Sequence, residues 1–199
     1  MKIDKKRLAS VLKFLVLLNI LMIPFYFLIK FEIQVTLYTT FVAFLTHSML
    51  RILGIENSLE GNLIFLSSEK GNWIVEISWD SSGWKSLYLI SVLALATPSI
   101  KFKDKIKFLS WSLPLIFFIN LARILTTLTS SYFFGAELFE FLHTFLWRIV
   151  LIAFIPCVWF LWFRKKYRYR GYGRRAKNSS VRKKNYKFRG KIAKPVKKT

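Results

Sequence analysis

Long apolar runs alternate along this chain with short clusters of lysine and arginine. The 199 residues are 54% hydrophobic, yet they carry 32 Lys and Arg against 10 Asp and Glu, so apolar and basic residues are segregated. A membrane-spanning helix needs about 20 mainly apolar residues. The pattern therefore predicts an all-α polytopic membrane protein with four to five transmembrane helices. The candidate runs are 10–29, 33–53, 84–100, 109–130 and 144–163.

The basic clusters predict how these helices are oriented. Residues 101–108 carry four lysines between two apolar runs, and short basic loops stay on the cytoplasmic side. The tail, 164–199, holds 17 basic residues and no acidic residue, so we expect it to be cytoplasmic and disordered. The predicted domains are therefore a multi-pass membrane domain, 1–163, and a basic cytoplasmic tail, 164–199.

The run 33–53 leaves two topologies open. It is the least apolar of the five runs, with four threonines, a histidine and an arginine. If it spans, five crossings place the basic N-terminus outside, against the positive-inside rule. If it lies along the outer interface or re-enters, four helices cross and both termini are cytoplasmic. The charge pattern favours the second topology.

Two short runs before the third apolar segment have the composition of β-strands. They read NLIFLSS and NWIVEISW and are separated by EKGN, a typical turn sequence. We expect a small extracytoplasmic β-hairpin here. It would lead the chain into DSSGWKSL, residues 80–87, where the third apolar run begins.

Three polar residues from different helices are predicted to lie at one depth. A rise of 1.5 Å per residue places Ser81, Arg123 and His143 roughly 30, 24 and 31 Å above the cytoplasmic face. A histidine can take a proton from a serine near neutral pH, and an arginine can stabilise an oxyanion. We interpret the three as an active site at the outer face of the membrane. The open alternative is an interfacial arginine and a histidine at a helix end.

Other polar residues have positions that would support such a site. Asn120 lies one helical turn before Arg123, and Gly83 allows close backbone approach. Glu140 and Asp80 are candidates to orient His143 by proximity alone.

A second chemistry is also compatible with the motif. Ser82 and Lys85 have the S-x-x-K spacing of serine/lysine acyl transfer, which places the two side chains one helical turn apart. This alternative is weaker, because its companion motifs S-D-N and K-T-G are absent.

Three motifs in order resemble those of the exosortase/archaeosortase family of membrane transpeptidases. Ser81-Ser82-Gly83-Trp84-Lys85 is similar to the family's Cys-(Ser/Thr)-Gly stretch, which opens a membrane helix and is followed by a basic residue. Asn120-Leu121-Ala122-Arg123 resembles its Asn-x-x-Arg stretch, and His143 its later histidine. The resemblance covers roughly residues 36 to 163. The departure is that Ser81 stands at the position of the nucleophilic cysteine.

The resemblance implies an activity, a substrate and residue roles. Ser81, Arg123 and His143 would be catalytic, while Ser82, Gly83, Lys85, Asn120 and Glu140 would bind substrate or support the site. The substrates would be secreted proteins whose C-terminal sorting signal combines a short motif, an apolar helix and a basic cluster. Either Ser81 carries out the reaction as a serine variant, or the chain has lost catalysis and binds sorting signals as a scaffold.

A membrane insertase or assembly factor is the non-enzymatic alternative. In that case Arg123 would line a polar groove, and the basic tail would contact anionic lipid or RNA through charge alone. The sequence predicts no other nucleic-acid function.

No cofactor or metal is expected. The two histidines and the single cysteine lie in different segments and make no plausible ligand set. The apolar run 144–163 predicts that Cys157 is buried. Helix rise places it about 10 Å from the cytoplasmic face, so it cannot take the place of the cysteine that the family has where this chain has Ser81.

Overall fold

The computed structural model describes residues 5–68, 71–135, 151 and 153–166. The predicted site residues His143 and Glu140 and the tail from residue 167 lie outside the described residues. Among the described residues up to 135, four helices and three strands follow one another in the order α1, α2, β1, β2, β3, α3, α4. The helices are α1 Lys5–Lys30, α2 Thr36–Ile52, α3 Trp84–Ala96 and α4 Phe102–Phe134. Residues 153–166 are also helical.

Two of the helices are long and apolar enough to cross a membrane, over Leu8–Lys30 and Phe102–Phe134. The helix α3 is apolar but shorter, with 13 residues. The prediction of apolar helices long enough to span a bilayer is thus confirmed for these two, whereas the number of crossings stays a prediction. With 33 residues, α4 is about 50 Å long, compared with a hydrocarbon core of about 30 Å.

The predicted loop 101–108 is wrong. Its lysines at 103, 105 and 107 belong to the first turns of α4, which begins at Phe102. The break between α3 and α4 comes earlier, since Pro98 disfavours a helical conformation at Thr97 and Ser99 has a φ of +65°. Lys105 bends back and donates to the carbonyl of Leu95 at the end of α3, where a cation is favourable.

The predicted hairpin has a third strand. The sheet is antiparallel in the order β1-β2-β3, with β1 Asn57–Glu60, β2 Leu63–Ser68 and β3 Gly71–Glu76. The sequence analysis found β2 and β3 but missed β1, because NSLE is four residues long and only one of them is apolar. Pairing with β2, in the register Asn57 opposite Leu66, supplies the backbone hydrogen bonds that its composition does not predict.

One core joins the sheet to α2 and α4. The buried side chains Ile64, Leu66 and Ile77 from the sheet region pack with Ile124 and Leu128 of α4. From α2 the buried residues recur every three or four positions: Thr39, Val42, Ala43, Thr46 and Leu50. The sheet therefore covers the part of α4 that begins directly after Arg123.

The helix α1 has the character of a lipid-facing span. Its apolar side chains are exposed around most of the helix, and such a helix suits a bilayer better than water. It packs against α3, where the Tyr88 hydroxyl donates to the Leu21 carbonyl at 2.6 Å. Pro24 weakens the backbone bonding of that turn, since it has no N–H to donate to the carbonyl of Ile20.

The chain divides into two compact units, Met1–Trp159 and Phe160–Thr199. In the first unit, Trp159 stacks on Phe14 and donates through its indole N–H to the Thr97 hydroxyl at 2.8 Å. In the second, residues 160–166 are helical. Cys157 is exposed, so its predicted burial is wrong.

Candidate active site

A tight turn carries the chain from the sheet to α3. The Ser81 N–H donates to the Ser78 hydroxyl at 3.2 Å, and the Ser82 N–H donates to the Ser78 carbonyl at 3.1 Å. Serine is well suited to such a turn because its hydroxyl can bond to backbone two or three residues away. The turn ends at Gly83, which has the left-handed φ of +88° and forms the N-cap of α3. Ser81 therefore lies at the point where extended chain becomes helix.

The helix α4 holds this turn through two side chains. The guanidinium of Arg123 donates through Nη2 to the Ser81 carbonyl at 2.7 Å. The carboxamide of Asn120 donates to the Ser82 carbonyl at 2.9 Å and to the Ser81 carbonyl at 3.4 Å. Asn120 is 2% exposed, so these bonds lie in a poorly solvated environment. The structure thus brings together Ser81, Asn120 and Arg123, three of the predicted site residues.

Close packing explains the glycine in this turn. A Cβ at Gly83 would overlap the carboxamide carbon and nitrogen of Asn120. The backbone of α3 thus approaches α4 more closely than any side chain at position 83 would permit. Two requirements, a positive φ and a missing Cβ, coincide at one residue.

Gly83→Ala should therefore cost more stability than a comparable change elsewhere. We expect a loss of roughly 3 kcal/mol or more, since left-handed strain of about 1–2 kcal/mol adds to overpacking of about 1–3 kcal/mol. The matched control is Gly54→Ala, because Gly54 has a φ of +77° but open space around its Cβ position. Thermal unfolding of both variants in detergent measures the difference. Equal losses would show that contact with Asn120 does not restrict position 83.

Tyr38 is a part of the site that the sequence analysis missed. Its hydroxyl donates to the Ser82 carbonyl at 3.2 Å, so this oxygen accepts from both α2 and α4. A phenol hydroxyl is protonated near neutral pH, so Tyr38 acts here as the donor. Its ring meets Trp79 edge-on, and Trp79 stacks on Trp84. No local signal links Tyr38 to a residue 44 positions away.

The Ser81 side chain is half-buried and bonded to its own turn. Its hydroxyl donates to the Ser78 carbonyl at 3.0 Å and lies 3.2 Å from the Ser78 hydroxyl. The arginine that binds the Ser81 carbonyl is thus adjacent to the serine but does not contact its hydroxyl. Ser78 is the second residue that the sequence analysis missed, although its i, i+3 spacing from Ser81 is a local signal.

The described side chains do not make the contact between Ser82 and Lys85 that the serine/lysine alternative requires. Ser82 is fully buried, and its hydroxyl donates to the Trp79 carbonyl at 2.6 Å. The ammonium of Lys85 instead pairs with the carboxylate of Asp80 at 2.8 Å. This pair leaves Ser82 without a basic partner among the described side chains. The same ion pair engages the carboxylate of Asp80, one of the two acidic residues that the sequence suggested could orient His143.

Two polar side-chain atoms that α4 brings beside the turn are buried and unpaired within the part of the chain that the structure describes. They are Oδ1 of Asn120 and Nε of Arg123, one acceptor and one donor. Buried polar groups are normally hydrogen-bonded. They mark the place where a further residue or a bound peptide group could be accommodated. The described ranges contain no group of three His, Cys, Asp or Glu side chains that could hold a metal ion.

A comparison with protein families shows which family the chain belongs to. No curated protein and no solved structure matches it. The family model described as transmembrane exosortase matches residues 5–166, which include every helix and strand described above as well as the positions of Ser81, Arg123 and His143. Members of this family are membrane transpeptidases that act in protein sorting. With a match over most of its length, the chain belongs to the transmembrane exosortase family.

Proposed function

We propose that the protein is a multi-pass membrane transpeptidase that cleaves the C-terminal sorting signals of secreted proteins, with Ser81 as the nucleophile. The observation that carries the proposal is the bond from Arg123 to the Ser81 carbonyl. This bond holds the guanidinium of Arg123 beside Ser81, just before the first residue of α3, a helix that enters the membrane in this proposal. Membership of the exosortase family supports the reaction class.

The proposed reaction begins with attack of the Ser81 hydroxyl on the substrate's peptide carbonyl. His143 takes the hydroxyl proton as general base, and a C–O bond forms as the carbonyl becomes a tetrahedral oxyanion. Arg123 uses one N–H on the Ser81 carbonyl and has others, Nε among them, with which to stabilise that oxyanion. The C–N bond then breaks, and His143 returns the proton to the leaving amine.

The acyl-enzyme passes its acyl group to an acceptor in the second half of the reaction. An amine or hydroxyl of a lipid, or water, attacks the ester carbonyl and loses its proton to His143. The C–O bond to Ser81 then breaks and His143 returns the proton to the Ser81 oxygen, so the enzyme returns to its starting state. Glu140 is the remaining acidic candidate to orient His143, since Asp80 pairs with Lys85.

The site belongs on the extracytoplasmic face in this proposal. The sheet packs on the part of α4 that follows Arg123, and α4 is long enough to leave the bilayer there. The lysines at the beginning of α4 would then face the cytoplasm, together with the tail. A secreted protein with a C-terminal apolar helix would present its motif at the level of Ser81.

Co-expression with a secreted protein from the same genome tests the activity. The candidate substrate carries a C-terminal motif, an apolar helix and a basic cluster. We expect a faster-migrating product whose new C-terminus, read by mass spectrometry, lies within the motif. A substrate from which the helix and basic cluster have been removed is the control and should remain uncut. No cleavage of any such candidate would contradict the proposal.

Deletion of residues 167–199 separates the transpeptidase from an insertase. We expect the truncated chain to process its substrate at close to the full-length rate, once both are normalised to their amounts in the membrane, because the described turn and its partners all precede residue 136. Gel mobility of the substrate provides the measurement. If insertion of membrane proteins failed while processing was never detected, the insertase alternative would gain support instead.

A further inference from the structure

The turn before α3 contains a pair of hydroxyl groups, of which only one has a role so far. The hydroxyls of Ser78 and Ser81 lie 3.2 Å apart, with Ser78 as donor. The same Ser78 hydroxyl accepts the Ser81 N–H at 3.2 Å, while the Ser81 hydroxyl donates to the Ser78 carbonyl at 3.0 Å. Three hydrogen bonds therefore link these two residues.

These bonds fix both the position and the electronic state of the Ser81 oxygen. Because the Ser78 hydroxyl accepts the Ser81 N–H, its own proton can be directed at the Ser81 oxygen. A donor on that oxygen stabilises negative charge as the serine loses its proton. The bond to the Ser78 carbonyl holds the Ser81 proton in the resting state, so a base has to displace that carbonyl before attack.

We propose that Ser78 is a positioning residue that stabilises the deprotonated side chain at position 81. The inference rests on the proposed function only where it concerns turnover. The contact itself concerns how easily any nucleophile at position 81 ionises, which is measurable without a substrate.

The backbone around the pair supports this assignment. The Ser78 carbonyl also accepts the Ser82 N–H at 3.1 Å, and Arg123 holds the Ser81 carbonyl from the other side. The Ser81 backbone is thus restrained at its N–H by Ser78 and at its carbonyl by α4. Among these groups, the Ser78 hydroxyl is the one that donates a hydrogen bond to the reacting oxygen.

Thiol reactivity at position 81 tests the contact directly. The full chain carries Ser81→Cys in a Cys157→Ala background, because the native cysteine is single and exposed. The rate of alkylation by iodoacetamide is measured from pH 6 to 10 in detergent. Adding Ser78→Ala should raise the thiol pKa and slow alkylation about tenfold at pH 7, since a hydrogen bond to a charged group is lost. Ser78→Thr keeps the hydroxyl and should restore the profile.

Controls separate this role from a structural one. Ser67→Ala removes a hydroxyl from β2 that bonds to Asn72, outside the turn, and should leave the pH profile unchanged. If Ser78→Ala does not fold, Ser78→Val and Ser78→Thr, which have the same shape, are compared instead. Identical pH profiles with and without the hydroxyl would overturn the inference, as would a threonine variant that behaves like alanine.

Turnover gives the second readout. In the chain with native Ser81, Ser78→Ala should lower kcat about tenfold and leave KM unchanged, because the affected step follows substrate binding. A shifted alkylation profile without any processing would support the contact and contradict the proposed function. Processing with an unshifted alkylation profile would support the proposed function and contradict the role of Ser78.

Discussion

Ser81→Ala should abolish processing of the sorting signal. Loss of the nucleophile removes the covalent step, and we expect the rate to fall by roughly 10³-fold or more, below detection in a gel assay. The variant should fold normally, because the lost hydroxyl is half-buried and donates only to the Ser78 carbonyl among the described groups. The measurement is gel mobility of a co-expressed substrate, with the amount of enzyme in the membrane followed in parallel.

Two further variants make this result specific. Ser67→Ala removes a serine hydroxyl from the sheet and should process like the native chain. Ser81→Cys introduces the thiol that the resemblance associates with the family, and a thiolate depends less on its base than a serine hydroxyl does. Unchanged processing by Ser81→Ala would rule out Ser81 as the nucleophile. If only Ser81→Cys were active, the native chain would be a binding scaffold.

Arg123→Ala should reduce processing by roughly 10²–10³-fold, the loss typical of removing one oxyanion donor. The variant loses the 2.7 Å bond to the Ser81 carbonyl and, in the proposed mechanism, the group that stabilises the oxyanion. Arg123→Lys should recover only a small part of the rate. A lysine offers a point charge, and it lacks the planar fork that lets one arginine bind two oxygens at once. Single-turnover processing rates measure both effects.

A matched arginine elsewhere controls for the loss of charge. Arg51, in the last turn of α2, is exposed, and Arg51→Ala makes the same change in net charge. We expect it to process at close to the native rate. Thermal unfolding of all three variants separates lost catalysis from lost structure. If Arg123→Lys were as active as the native chain, charge alone would explain the role of Arg123 and the fork geometry would be irrelevant.

The sequence predicted those parts of the fold that depend on local patterns. Apolar runs of about 20 residues locate α1 and α4, and the alternation in NWIVEISW locates β3. The strand β1 was missed because it forms only through pairing with β2. The loop at 101–108 was misjudged because lysine is a good helix former, and its charge says nothing about where a helix begins.

For the site, the sequence predicted which residues lie near one level, and tertiary structure decided which atoms meet. Counting residues along each helix placed Ser81 and Arg123 near one level, because the rise per residue of a helix is constant. It could not show that the guanidinium binds the Ser81 carbonyl, that Tyr38 reaches Ser82, or that Lys85 pairs with Asp80. Those contacts depend on helix rotation and on the close approach of α3 to α4 at Gly83. Residue spacing within one helix does not contain that information, because it arises only when two helices pack.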